Sequence, residues 1–200
     1  MTTRHVRDDG PVSEEIMTAF EDAIGLWRLD PGSATADVID AATACLVDGF
    51  DTPALRELAG ASPRESHFVL DPLIIDTVNE LGKSELLDLD IQHAALGAML
   101  RKMVNGRATP REVASWAYSH IGYDGGQECD PIVNMDNFYD DVEYLGYQEH
   151  ELDEWMRQEA EAFLAGRPSP GPPPAWQHSP APIESRTLVT RIRNWLRGRR

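Results

Sequence analysis

Thr109-Pro110-Arg111-Glu112-Val113-Ala114-Ser115-Trp116-Ala117-Tyr118-Ser119-His120-Ile121-Gly122 opens and closes as an α-helix does. The Thr109 hydroxyl can accept from the orphan amides of a first turn, and proline at the first helical position gives up an N–H that has no intrahelical partner. Glu112, at the third position, can reach back to the cap amide and complete a capping box. Gly122 stands where a left-handed residue is wanted to end the helix. The same signals recur on both sides. Thr52-Pro53, Ser62-Pro63, Asp71-Pro72 and Asp130-Pro131 also pair a capping side chain with proline, and Ser62-Pro63-Arg64-Glu65 repeats the box. Gly49, Gly60, Gly82, Gly106, Gly146 and Gly166 each follow an apolar-periodic run. Within the runs the apolar spacing is three and four, as in Ile16, Phe20, Ile24, Trp27 and in Leu87, Ile91, Ala95, Met99. That period belongs to helices. It predicts helices over about 12–28, 35–48, 53–59, 63–70, 72–81, 85–104, 109–121, 131–145 and 149–165. His67 to Ile75 has a faint extended character, but Pro72 interrupts it and the alternation is poor. No fixed-period repeat accompanies the cap-Pro signature, which excludes a solenoid. The expected fold is all-α, a compact bundle of about seven to nine helices.

Composition agrees with a globular chain. Of 200 residues, 42% are hydrophobic and 26% charged, enough for one ordinary domain or at most two small ones, with a real core. No window approaches the ~20 apolar residues of a membrane-spanning helix. The start Met-Thr-Thr-Arg-His-Val-Arg-Asp-Asp lacks the apolar stretch of a signal peptide, so the expected location is the cytoplasm. Cys45 and Cys129 are too few for a disulfide framework and lack zinc-site spacing.

The charge is unevenly distributed. The net is −16, yet residues 167–200 hold seven arginines and one acid, a net of +6. Residues 1–166 hold 11 basic and 33 acidic groups, a net of −22. Such a body repels phosphates, so direct nucleic acid binding by it is not expected. Between the two parts, residues 167–182 contain seven prolines, the composition of a semi-rigid polyproline-type spacer. The expected organisation is an acidic helical domain over 1–166, with a subdivision near residue 83 left open, a Pro-rich linker over 167–182, and a basic amphipathic tail helix over 183–200. In that tail Leu188, Ile192, Trp195 and Leu196 share one helical side among arginines. Arg191, Arg193, Trp195 and Arg197 are its candidate contact residues, suited to an anionic membrane, RNA, an acidic partner or the chain's own body, the alternative being a frayed solubilising tail.

Catalytic motifs are missing. There is no phosphate loop and no nucleophile elbow, and Gly125-Gly126 has no lysine nearby to meet a phosphate. His5, His67, His93, His120, His150 and His178 are dispersed, with no pair four apart on a helix as a metal site would use. No catalytic, metal or cofactor residue is assigned, and the expectation is a non-enzymatic protein.

Acidic crowding is the anomaly. Residues 124–161 contain 13 acids against Arg157 alone. On a helix over 131–145, Ile132, Met135, Phe138, Tyr139, Val142 and Leu145 share one side, while Asp136, Asp140 and Glu143 line the other. A magnesium or calcium site would need an oxygen-rich loop that is absent. Beside that minor metal reading stand two others, a solvated face that keeps the protein soluble and a docking surface for a basic partner that offsets the self-repulsion.

Three segments carry a resemblance: Val104-Asn105-Gly106-Arg107-Ala108-Thr109-Pro110-Arg111-Glu112-Val113, then Asp136-Asn137-Phe138-Tyr139-Asp140-Asp141-Val142-Glu143-Tyr144, then Glu151-Leu152-Asp153-Glu154-Trp155-Met156. Together, over about residues 96–165, they resemble colicin D-type immunity proteins. Val47 to Gly60 is also similar to a segment of actinobacterial proteins that carry such a second half, a likeness that implies no activity. The immunity resemblance implies a small acidic helical inhibitor whose carboxylates occupy the basic cleft of a toxin nuclease. A carboxylate stripe is a sensible decoy for a cleft that selects phosphate. Carried onto this chain, the partner-binding residues are Asp136, Asp140, Glu143, Glu151 and Glu154. The chain departs from the family in its doubled length, in Val113 where the family has phenylalanine, and in its proline-arginine end. The alternative is a peripheral membrane or scaffold protein anchored through the tail.

Overall fold

A computed structural model describes residues 11–173, and the tail expectations over 183–200 lie outside the described residues. The described residues are all-α, without strands: α1 (Pro11–Leu29), α2 (Pro31–Val47), α3 (Pro53–Ala59), α4 (His67–Glu80), α5 (Ile91–Val104), α6 (Pro110–His120), α7 (Asp130–Asp140), α8 (Val142–Leu145) and α9 (Glu149–Leu164). Short 3-10 turns cover Ser84–Leu87 and Gly122–Asp124. No described helix is long and apolar enough to cross a membrane.

Several helix starts follow the expected chemistry. Thr52 accepts from the Leu55 N–H at 3.3 Å. Thr109 accepts from Glu112 N–H at 3.2 Å, while the Glu112 carboxylate accepts from the Thr109 N–H at 2.7 Å, which completes the box. These hydrogen bonds hold the Glu112 carboxyl below its usual range. Gly49, Gly82, Gly106, Gly122, Gly146 and Gly166 all take positive φ, as helix exits require.

Other starts are corrected. Asp30-Pro31 is a cap-Pro pair too, and it begins α2 four residues before the predicted start. Ser62-Pro63 opens a tight turn instead of a helix, because the Ser62 hydroxyl accepts from the Arg64 N–H at 3.2 Å and its carbonyl from the Glu65 N–H at 2.8 Å. Pro72 lies inside α4, so the two helices predicted over 63–70 and 72–81 are one. Its missing N–H takes the intrahelical donor from the carbonyl of Phe68, a residue that is 78% exposed. Asp90 caps α5 by accepting from the His93 N–H at 2.8 Å, which divides the span predicted over 85–104. Cys129 occupies the cap position of α7, and Asp130 is its first helical residue. Gly60 stays right-handed at φ −88°.

The core has two parts that share α5. Ala95 and Ala98 face Phe20, Ile24, Val38, Leu55, Leu58 and Ile74 from α1 to α4. Leu96, Leu100 and Met103 face Val113, Ile132, Met135, Tyr139, Leu152 and Met156 from α6, α7 and α9. Met99, Leu29 and Trp116 pack against both. Each fully buried large side chain is worth about 1.5–3 kcal/mol by area, so a helix that buries two opposite sides couples the halves. Polar ties fix the same seam. Arg101 on α5 forks onto Asp22 of α1, with Nε 2.8 Å from Oδ1. Arg28 donates to the carbonyls of Leu86, Leu87 and Leu89 at 2.6, 2.8 and 3.0 Å, which serves the orphan carbonyls of the 3-10 turn.

Candidate interaction surface

The capping box at Thr109 fixes the first turn of α6, and from its second position Arg111 reaches across to α7. Its guanidinium lies 3.3 Å from Asp140, 3.6 Å from Glu149 at the start of α9, and 5.7 Å from the centre of the Tyr139 ring. Asp140 and Glu149 remain 71% and 63% exposed at the side chain, so these ion pairs are solvated and add little stability. Arg111 lies outside the acidic window 124–161, and only folding brings it there.

The five predicted partner-binding carboxylates separate into different environments. Asp136 is half-buried, and its carboxyl is pushed above the usual range by burial first and by the neighbouring Asp140 second. Asp140 is exposed and paired with Arg111. Glu143 is exposed on α8. It does not continue the Asp136–Asp140 stripe, because the predicted 131–145 helix breaks at Asp141, where φ is −96° and ψ 9°. Two adjacent carboxylates at the negative end of a helix oppose its continuation. Beyond the break Leu145 is 38% exposed rather than part of the inner face. Glu151 is half-buried and accepts from the Gln148 N–H at 2.8 Å as the capping box of α9. Glu154 is exposed, 3.6 Å from Arg157, and accepts from Gln158 at 3.2 Å. The structure therefore gathers Asp140 and Glu149 around Arg111, leaves Glu143 and Glu154 on the surface, and gives Glu151 a capping task.

Behind this surface, α7 and α9 are joined by buried polar contacts. Tyr139, 1% exposed, donates to Asp153 at 2.7 Å, and burial followed by that carboxylate raises its hydroxyl pKa. Glu159 is 2% exposed and its Oε1 accepts from Trp155 Nε1 at 2.8 Å, from the Ser169 hydroxyl at 2.9 Å and from the Gly171 N–H at 3.2 Å. Two of those donors belong to the proline-rich segment, and Tyr147 donates to the Pro173 carbonyl at 2.9 Å. Residues 167–173, the start of the stretch whose composition predicts a semi-rigid spacer over 167–182, thus lie along the body as a strap. The physical reason is a buried carboxylate that needs donors. The i, i+4 spacing of Trp155 and Glu159 was the available signal.

Neither thiol is poised for chemistry, since burial pushes both Cys45 and Cys129 up to about 11. Among the described residues no group of three His, Cys, Asp or Glu side chains is placed to hold a metal ion. A cleft of about 530 Å³ between α1, α2 and α5 is lined by two ion pairs, Asp22 with Arg101 and Asp37 with Lys102 at 2.7 Å, and by Glu15, Asp40 and Arg107. No model of a protein family, no curated protein and no solved structure matches this chain.

Proposed function

We propose that this is a non-enzymatic binding protein whose α7–α9 end docks a basic protein, in the manner of an immunity or antitoxin-like inhibitor. The supporting observation is that Asp140, Asp141, Glu143, Glu149 and Glu154 of α7 to α9 and their connections are all exposed, while the ion-paired basic side chains among them are Arg111, which joins Asp140 and Glu149, and Arg157. An excess of exposed carboxylate steers a cationic partner and fixes its register more than it adds raw affinity. The resemblance to colicin D-type immunity proteins over residues 96–165 implies a nuclease as that partner, because a phosphate-selecting cleft accepts a carboxylate surface. The weight falls on Asp140, Glu143 and Glu154, since Asp136 is half-buried and Glu151 caps α9.

The test captures partners from extracts of the source cells on full-length wild-type protein and on the Asp140→Asn/Glu143→Gln/Glu154→Gln variant. A basic protein released by salt from the wild type and lost from the variant is the expected result. Identical salt eluates from the two would sink the reading. If the wild type holds anionic vesicles instead of protein, the alternative of a tail-anchored peripheral protein takes its place.

A further inference from the structure

The strap over residues 167–173 is seated between α7 and α9 on a surface with a definite chemical preference. Phe138 and Trp155 lie with ring centroids 4.8 Å apart beside it. A cleft of about 380 Å³ between the strap and α7 is lined by Asn134, Asn137, Phe138, Trp155 and Pro172. Aromatic-lined grooves are the surfaces that take extended proline-rich peptides, whose fixed φ lowers the ordering cost.

The hydrogen-bond pattern is the one such a peptide needs. A proline-rich segment is poor in N–H groups and rich in carbonyls. Here two of its few donors, the Ser169 hydroxyl and the Gly171 N–H, converge on Glu159 Oε1, and its Pro173 carbonyl accepts from the Tyr147 hydroxyl. The receptor side is preorganised. Glu159 is 2% exposed and Trp155 Nε1 holds its carboxylate from within the same helix. Gly171 sits at φ +73°, which orients its N–H toward that carboxylate and is open to glycine with little strain. The occupant is lightly held, since Pro168, Ser169, Pro170 and Pro172 are exposed. A core element would not leave so much of itself in solvent.

We propose that the α7–α9 groove is a binding site for a proline-rich peptide of Ser-Pro-Gly-Pro-Pro type in another protein, and that this chain's own Pro168–Pro173 segment is its resident intramolecular occupant. The tether gives that segment an effective concentration on the order of millimolar, so a free peptide must compete with it. The site is independent of the acidic surface, because the segment it reads is uncharged.

The test uses the full chain and the fluorescently labelled, end-blocked peptide Pro-Ser-Pro-Gly-Pro-Pro-Pro-Ala, the uncharged sequence of residues 168–175. Gly171→Pro removes the donor N–H and cannot take positive φ, so it frees the groove from its tether. By anisotropy, the peptide is expected to bind the Gly171→Pro protein at least about tenfold tighter than the wild type, by relief of that competition. Adding Glu159→Ala to Gly171→Pro is expected to abolish the gain. Equal affinity for wild type and Gly171→Pro, or binding that survives Glu159→Ala, overturns the proposal. Should Gly171→Pro lose its helical circular dichroism, Ser169→Ala gives the same comparison by removing one strap donor. Binding is expected to be insensitive to salt, which separates this site from the acidic surface.

Discussion

Asp136 behaves differently from the carboxylates around it, because it sits in the seam between α6 and α7 rather than on open surface. Burial and Asp140 raise its pKa above the ordinary 3.8, opposed by Arg111 and by a hydrogen bond from Ser115. An acid whose folded pKa is raised holds its proton more tightly when folded, so its contribution to stability falls as pH rises through that window. Asp136→Asn is therefore expected to be more stable than the wild type at pH 7. The gain should shrink as pH falls and be absent below about 3.8. Urea denaturation at several pH values checks this, and an unchanged or lower midpoint at pH 7 refutes it. The acids of 124–161 were all visible as residues, and the helical wheel placed Asp136 and Asp140 together. What each carboxylate does was not visible. Glu151 caps a helix, Glu159 is buried beneath a strap, and Asp140 faces an arginine 29 residues earlier.

Helix ends were the most legible elements where one side chain settles one amide. The Thr109 box is such a case, since donor and acceptor are three residues apart and need nothing else from the fold. Thr109→Ala is expected to cost about 1 kcal/mol of unfolding free energy, while Thr109→Ser retains most of it. Thermal and urea unfolding of the pair measure the difference, and equal stability of the alanine variant would show the cap to be idle. Other helix ends are not legible, because two local solutions compete. Ser62 can cap a helix or close a turn, and the turn wins. Pro72 can start a helix or be carried inside one, and α4 carries it where the residue that loses its donor, Phe68, is exposed. The α7–α8 break at Asp141 and the helix start at Asp30 were open to the same rules of charge and capping.

At the scale of the molecule, α5 joins two cores. Where α1 crosses α5, a Cβ on Gly25 would lie 3.3 Å from the Ala94 carbonyl carbon and oxygen, so the backbones meet with no room between them. Gly25→Leu is expected to push α5 aside at a cost of about 1–3 kcal/mol. Both halves should weaken together, which tryptophan fluorescence and circular dichroism would register as one transition at a lower urea midpoint. Two separated transitions would instead show that α5 does not couple the halves. The sequence by itself determined the all-α class, the three-and-four apolar period, most left-handed glycine exits and the acidic excess. All of these depend on contacts within about one helical turn or on composition alone. Tertiary structure alone decided which opposite sides of α5 face which core, that Arg111 enters the acidic end, and that residues 167–173 return to Glu159. Those outcomes rest on groups far apart in the chain whose pairing is set by packing and by the need to satisfy buried polar atoms, and no local spacing encodes them.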